Sequence, residues 1–200
     1  MSNLNLGFLA SHNGSNMQAI IDACKQGRLN ARPCIVISNN ADSMALQRAK
    51  KEGIPNYCLN NNIYSSDQEL DKEILDVLQN QSVDLVILAG YMKKIGPMVL
   101  AAYKGRVLNI HPALLPKYGG QGMYGRNVHE AVLAAKEKVS GATIHIVDEE
   151  YDRGKIISQC QVPVYGNDDV ESLSKRVLQK EHELFVETLQ KISEGEIKLT

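Results

Sequence analysis

The sequence predicts an α/β protein with a Rossmann-like, mostly parallel sheet, helices on both faces and an antiparallel strand in its C-terminal part. Three observations lead there. Short apolar runs alternate with amphipathic stretches along the chain, the pattern of repeated βα units. In DLVILAG, residues 84–90, everything after Asp84 is apolar without a break and includes β-branched side chains, as a strand buried on both faces requires. Helix boundaries carry their usual punctuation, with Gly27 and Gly53 at ends and Ser66 at a start.

Taken in order, LNLGFLA at 4–10 reads as the first strand, and Ser15 caps a helix whose Ala19, Ile20 and Cys24 stripe ends near Gly27. CIVIS at 34–38 is the second strand, and a helix over 43–52 stops at Gly53. A short strand covers 57–59. Ser66 with Glu69 forms a capping box that opens a helix carrying Leu70, Ile74, Leu75 and Leu78. After the 84–90 strand, Pro97 begins another helix and RVLNIH at 106–111 returns as a strand. NVHEAVLAAKEK at 127–138 is helical, ATIHIV at 142–147 alternates like a strand, and KIISQCQVPV at 155–164 is a further strand. Asp168 with Glu171 caps a long last helix. No repeat, low-complexity tract or linker interrupts this order, so residues 1–200 are expected to form one domain.

Composition excludes several classes of function. A formal net charge of -1 argues against a dominant nucleic-acid surface, which needs a clustered excess of Lys and Arg. The pairs Lys50/Lys51 and Lys93/Lys94 are too short to change that. The N-terminus lacks a basic leader before a long apolar stretch, and no run reaches the length of a membrane span. A cytoplasmic protein without membrane association is the expectation. Cys24, Cys34, Cys58 and Cys160 lie far apart without a CxxC pair and read as buried, reduced thiols. No His or Cys pair has metal-ligand spacing, so no metal is expected.

In an open parallel sheet, ligands bind beyond the carboxyl ends of the strands, which directs attention to three loops. SHNGSNMQ at 11–18 sets glycine and small polar residues at a helix N-terminus, where backbone N–H groups and the helix dipole favour an anion. A capped turn without a ligand is the plain alternative, and the position at the first strand–helix switch favours phosphate. In NIHP, Asn109 and His111 are one residue apart, so an extended chain projects both to one side while Ile110 enters the core. An amide donor beside an imidazole suits attack on a carbonyl, with Asn for the oxyanion and His for protons. A lone histidine at a strand end would instead satisfy backbone groups. DEEYDRG at 148–154 can set a carboxylate beside His111 and raise its pKa, although an acidic turn alone is usually just solvated.

NIHPALLP together with HNGSN, LAGYM, ATIHIVDEEYDRG and VPV resembles the glycinamide ribonucleotide formyltransferases, folate-dependent enzymes of purine synthesis, from the first strand to about Phe185. The Asn-x-His-Pro core is highly specific within the formyltransferase superfamily. The resemblance implies catalytic roles for Asn109, His111 and Asp152, and a phosphate loop at Gly14, Ser15, Asn16 and Met17. It places Gly90 against the glycinamide and Glu181 on the ribose. Met92, Lys93, Lys94 and Ile95 would line the folate pocket, with Asp148, Glu149, Glu150, Tyr151 and Asp152 holding the pterin beside Asn109. It assigns 1–105 to phosphate and ribonucleotide binding and 106–200 to catalysis and folate. The co-substrate implied is 10-formyltetrahydrofolate, the partners are small molecules without nucleic acid or membrane, and a homodimer is left open.

Three departures from the family pattern stand out. After LLPKY the family commonly has a short PGLH segment, whereas this chain has the longer GGQGMYGRNVH. Asp67 stands where an Arg commonly reaches the folate tail. Asp152 is followed by Arg153 where the family has Gly, which opens an Asp152–Arg153 pairing.

Of the other histidines, His145 alternates with Ile144 and Ile146 and is a candidate support for the site, with Thr143 on its side; His129 and His182 read as surface or satisfied groups. The mechanism implied has Asn109 and protonated His111 stabilising the oxyanion formed when the ribonucleotide amine attacks the formyl carbon, and Asp152 keeping His111 charged. A 10-formyltetrahydrofolate hydrolase, an amino-sugar N-formyltransferase and a silent phosphate-binding module are the alternatives.

Overall fold

A computed structural model describes residues 3–199. Seven strands form one sheet in the order β3-β2-β1-β4-β5-β6-β7. The strands are β1 (Leu4–Leu9), β2 (Ala31–Ser38), β3 (Asn56–Cys58), β4 (Leu85–Leu88), β5 (Val107–His111), β6 (Val139–Ile146) and β7 (Ile156–Pro163). Pairings are parallel from β3 through β5, and β6 runs antiparallel to both β5 and β7. The reversed strand is therefore β6. Among the described residues there are six helices: α1 (Ser15–Lys25), α2 (Met44–Lys51), α3 (Asp67–Asn80), α4 (Pro97–Ala102), α5 (Arg126–Ala134) and α6 (Val170–Ser193).

Strand alternation divides the core into two layers. Leu6, Phe8, Leu85, Ile87, Leu108 and Ile144 face α1, α2 and α6, where Met17, Ile20, Ala45 and Phe185 complete one apolar cluster. Leu9, Ile35, Ile37, Val86 and Leu88 face α3 and α4, packing on Ile74, Leu78 and Val99. The apolar run at 84–90 is thus fully buried at β4 because both faces are covered.

Several boundaries differ from the expectation, each for a local reason. Helix α1 buries Asn16, Met17, Ile20, Ile21 and Ala23, a stripe shifted from the expected one. Ser66 caps α3 by accepting the Glu69 N–H, but Glu69 turns its carboxylate to Ser65, so the box is only half formed. Helix α5 ends at Ala134, where Lys136 takes a positive φ of 52°. The cap of α6 is Asp169, boxed with Ser172, because Asp168 is held by both nitrogens of the Arg176 guanidinium. Of the four thiols, Cys34 is buried and the other three are half-buried. Burial pushes the Cys24 thiol up to about 11, so it stays protonated and inert. No helix among the described residues is long and apolar enough to cross a membrane.

Candidate active site

Beyond the carboxyl ends of β1, β4 and β5, the loops enclose a cavity of about 710 Å³ lined from both halves of the chain. A smaller hollow of about 270 Å³ lies between Leu114, Val132 and the start of β6. Its charged groups, Lys117 and Glu137, are paired with one another, and Tyr118 donates to the same carboxylate, which leaves chemistry to the larger cavity.

The loop after β1 is fixed by its side chains. Ser11 Oγ donates to Asn39 and accepts the Met92 N–H, while Arg48 clamps the Asn13 carbonyl and amide oxygens. Gly14, not Ser15, is the N-cap of α1: its φ is 66°, no side chain caps the helix, and an added Cβ would lie 2.9 Å from Ala45 Cβ. Left-handed backbone in close contact demands glycine. A glycine cap also leaves the first N–H groups of α1 without a side-chain acceptor, as an anion site requires. Met17 is fully buried, so only its backbone can meet a ligand. Asn16 lines the cavity, donating from Nδ2 to Glu181 Oε2 at 2.7 Å, and its buried Oδ1 has no partner. Burial pushes the Glu181 carboxyl up to about 7, with the Asn16 hydrogen bond opposing.

On β5 the expected alternation holds. Ile110 packs in the core, while Asn109 and His111 stand on one face opposite His145 and Thr143 of β6. His111 Nε2 donates to the Tyr118 carbonyl at 2.7 Å, and its Nδ1 lies 3.6 Å from Asp152 Oδ2. Asp152 Oδ1 is 3.4 Å from His145 Nε2, and Oδ2 accepts the Gly120 N–H at 2.9 Å. Asp152 reaches these partners from the turn after β6, at a φ of 57°. Gly154 then lets the chain pass so close to the Ile146 carbonyl that a Cβ would collide with it.

The acidic turn does bring a carboxylate to His111, yet the pKa moves opposite to the expectation. Burial lowers His111 below the ordinary histidine value and outweighs the Asp152 charge and Tyr118 carbonyl that favour its cation; His145 adds to the lowering. Protonated His111 is therefore corrected to neutral His111 at neutral pH. With Nε2–H committed to a carbonyl, Nδ1 carries the lone pair and faces the carboxylate. Burial pushes the Asp152 carboxyl up, but the neighbouring His145 and His111 rings and the Gly120 N–H outweigh it and bring Asp152 below the usual carboxylate value. Among the described ion pairs none involves Arg153, so the Asp152–Arg153 pairing does not form.

Gly90, Met92, Lys93, Lys94, Ile95, Asn109 and the whole 148–152 turn line the cavity. Gly14, Ser15 and Met17 do not line it; of that segment only their neighbour Asn16 does. Asp67 lies outside it, accepting from Asn61 at the start of α3. The longer glycine-rich loop forms a wall through Gly120–Gly125, with Tyr124 exposed. Thr143 does not join the Asn–His network; its Oγ donates to the Ala113 carbonyl and accepts the Leu115 N–H, pinning the segment after Pro112. His129 is buried rather than at the surface, its Nδ1 unpartnered, and the buried His182 Nε2 is unpartnered as well. The Tyr118 carbonyl and Gly120 N–H, which hold His111 and Asp152, carry no sequence signal because they are backbone groups. His145 is legible only once β5 is paired with β6. No cluster of His, Cys, Asp and Glu among the described residues has the geometry of a metal site.

The sequence matches the formyl transferase family model over residues 4–189. It is 39% identical over 194 residues to phosphoribosylglycinamide formyltransferase of Haemophilus influenzae, covering 97% of this chain and 89% of that protein. The chloroplastic phosphoribosylglycinamide formyltransferase of Arabidopsis thaliana is 43% identical over 194 residues, 96% of this chain but 66% of that longer protein. The crystal structure of glycinamide ribonucleotide transformylase 1 from Symbiobacterium toebii superposes with a TM-score of 0.92 at 37% identity, covering 100% of this chain and 92% of that one. A formyltetrahydrofolate deformylase from Pseudomonas syringae shares the fold at a TM-score of 0.87 and 23% identity, covering 99% of this chain and 64% of its own.

Proposed function

The chain belongs to the formyl transferase family, and from that premise we propose that it transfers the formyl group of 10-formyltetrahydrofolate to the primary amine of glycinamide ribonucleotide, a step of purine biosynthesis. The observation that carries this reading is the meeting of Asn109, His111 and Asp152 in one cavity with the uncapped start of α1. The reaction is placed in the cytoplasm with two small-molecule substrates. The first-turn N–H groups of α1 take the phosphate, Glu181 and Asn16 meet the ribose, and Gly90 bounds the glycinamide. Residues 92–95 and 148–152 enclose the folate, and the 710 Å³ volume suits two substrates of this size. The division at residue 105 is crossed by Glu181, which serves the ribonucleotide from the second half.

Attack of the amine on the formyl carbon places negative charge on the former carbonyl oxygen and positive charge on the amine. Asn109 donates to that oxygen. The bare Nδ1 of His111 takes the amine proton, and the imidazolium formed is held by Asp152 and the Tyr118 carbonyl. His111 returns the proton to the folate nitrogen as the C–N bond breaks and that nitrogen takes the electron pair. Formylglycinamide ribonucleotide and tetrahydrofolate result, with no covalent enzyme intermediate. Incubating the protein with 10-formyltetrahydrofolate, with and without the ribonucleotide, separates this reading from its rivals. Transfer needs both substrates, a deformylase releases formate from the first alone, and a silent phosphate-binding module does neither.

Two substitutions test the ribonucleotide side. Ser15→Asp should raise KM for the ribonucleotide at least about tenfold and leave folate affinity unchanged, because a carboxylate then faces the phosphate. An acid in a first helical turn is favourable by about 0.3–1 kcal/mol, so the melting temperature should hold or rise. Equal loss of both ligands by calorimetry would contradict the phosphate assignment. Glu181→Gln should raise KM for the ribonucleotide more than it lowers kcat, since a ribose contact is made alike in ground and transition states. Its stability has a sign that can be worked out. A carboxyl raised from 4.5 to about 7 on folding costs stability progressively as pH rises through that window. The Gln variant escapes that cost, so it should gain on the wild type between pH 5 and 8, by at most about 3 kcal/mol, in denaturant titrations at the two pH values.

A further inference from the structure

His145 is 2% exposed and stands directly across from Asn109 in the β5–β6 ladder. Its two ring nitrogens have unequal neighbours. Nδ1 lies 2.9 Å from the carbonyl oxygen of Ile146. A carbonyl only accepts, so Nδ1 must carry a hydrogen. In the neutral ring Nε2 is then bare, and it sits 3.1 Å from the side-chain amide of Asn109. An amide has one donating and one accepting end, and nothing in its shape decides which end faces a given neighbour. Here the neighbour decides. An amide oxygen set against a bare ring nitrogen would place two acceptors in contact with no water to separate them, whereas the amide nitrogen makes a hydrogen bond. One N–H of Asn109 is used in this way, and the other is left for the cavity that Asn109 lines.

We propose that His145 is a positioning residue whose bare Nε2 fixes the Asn109 amide with its nitrogen, rather than its oxygen, toward the formyl oxygen. The inference rests on the assignment of Asn109 to the oxyanion. Without His145 the amide is free to turn its oxygen into the site, where an acceptor would oppose the developing negative charge. The Ile146 carbonyl thereby acts on catalysis through two relays, setting the His145 tautomer, which sets the Asn109 amide. The carboxylate of Asp152 lies farther from the same Nε2, at 3.4 Å, and would be its partner only when that nitrogen carries a proton.

The test uses side chains that mimic one ring nitrogen each. The amide oxygen of His145→Gln reaches the place of Nε2, whereas His145→Asn reaches only the place of Nδ1. His145→Gln should keep kcat within about threefold of wild type, and His145→Asn and His145→Ala should lose about tenfold or more, below the roughly 100- to 1,000-fold ceiling for losing an oxyanion donor outright. KM for both substrates should stay within about twofold, because the effect is confined to the transition state. In an Asn109→Ala background, His145→Ala should cost nothing further. Equal activity of the Gln and Asn variants, or losses that multiply in the double variant, would overturn the proposal. Full activity of Asn109→Ala alone would instead remove Asn109 from the oxyanion site, a separate failure. Should His145→Ala fail to fold, the Gln and Asn pair still decides.

Discussion

His111→Ala is expected to lower kcat by about 100- to 10,000-fold, the range for a group that moves a proton in the transition state. KM for either substrate should change by no more than about twofold, because the proton taken at Nδ1 exists only in the transition state and after it. The geometry makes the loss specific. His111 is 3% exposed, donates to the Tyr118 carbonyl at 2.7 Å and presents the opposite nitrogen to Asp152. Truncation leaves the Tyr118 carbonyl without its donor, so a fall in melting temperature is expected beside the kinetic loss. His111→Gln separates the two effects, since its amide can still donate to Tyr118 while offering no base of comparable strength. That variant should regain stability without regaining turnover. Retention of more than about a tenth of wild-type kcat by either variant would take His111 out of the reaction.

The sheet was legible because its signals are redundant. Strand β4 carries its burial in four successive apolar residues, and period-two alternation set Ile110 inward and Asn109 and His111 outward before any partner strand was known. Helix starts were less legible where competing caps lay side by side. Asp168 and Asp169 are equally good caps by type, and the choice was made by Arg176, eight residues on, which occupies Asp168. At α1 the hydroxyl of Ser15 suggested a cap, but the packing of the loop against Ala45 imposes a left-handed glycine one residue earlier.

For the site, residue types were readable and electrostatics were not. Proximity of a carboxylate to His111 followed from the motif, and the sign of the resulting shift did not, because desolvation depends on how completely the cavity wall closes over the ring. Part of that wall is the glycine-rich loop, whose Gly120 also fixes Asp152, and nothing in the string GGQGMYG states which backbone N–H will be used. The other two departures, Asp67 and Arg153, add no partner to the site among the described residues. Asp67 sits at the start of α3, and Arg153 is exposed and takes no part in the pairings of its neighbour Asp152.

Asp152→Asn removes a charge and keeps the side chain's size, and the result expected is a loss of about 100- to 10,000-fold in kcat. At 3.6 Å and an effective permittivity of about 20, the attraction between Asp152 and a charged His111 is about 4 to 5 kcal/mol, or roughly 1,000-fold in rate if it is expressed in full. Burial outweighs this attraction and lowers His111, which keeps the resting ring neutral. The carboxylate therefore acts when the ring becomes charged, after Nδ1 has taken the amine proton. The pH dependence follows. His111 already titrates below the ordinary histidine value, and losing the Asp152 charge should push it lower still, an effect that proton NMR titration of its ring can read in both proteins. The limb of the kcat profile set by His111 deprotonation should move to lower pH, and the variant should not recover on acidification. An enzyme that instead needed a resting imidazolium would behave the other way, with the Asn variant regaining activity as pH falls from 7 to about 5.5, toward and below the unperturbed histidine value of about 6.5. Such recovery would restore the protonated resting state and reduce Nδ1 to an oxyanion donor. An unshifted profile with a lowered melting temperature would leave Asp152 as the group that ties Gly120 to the acidic turn, and nothing more.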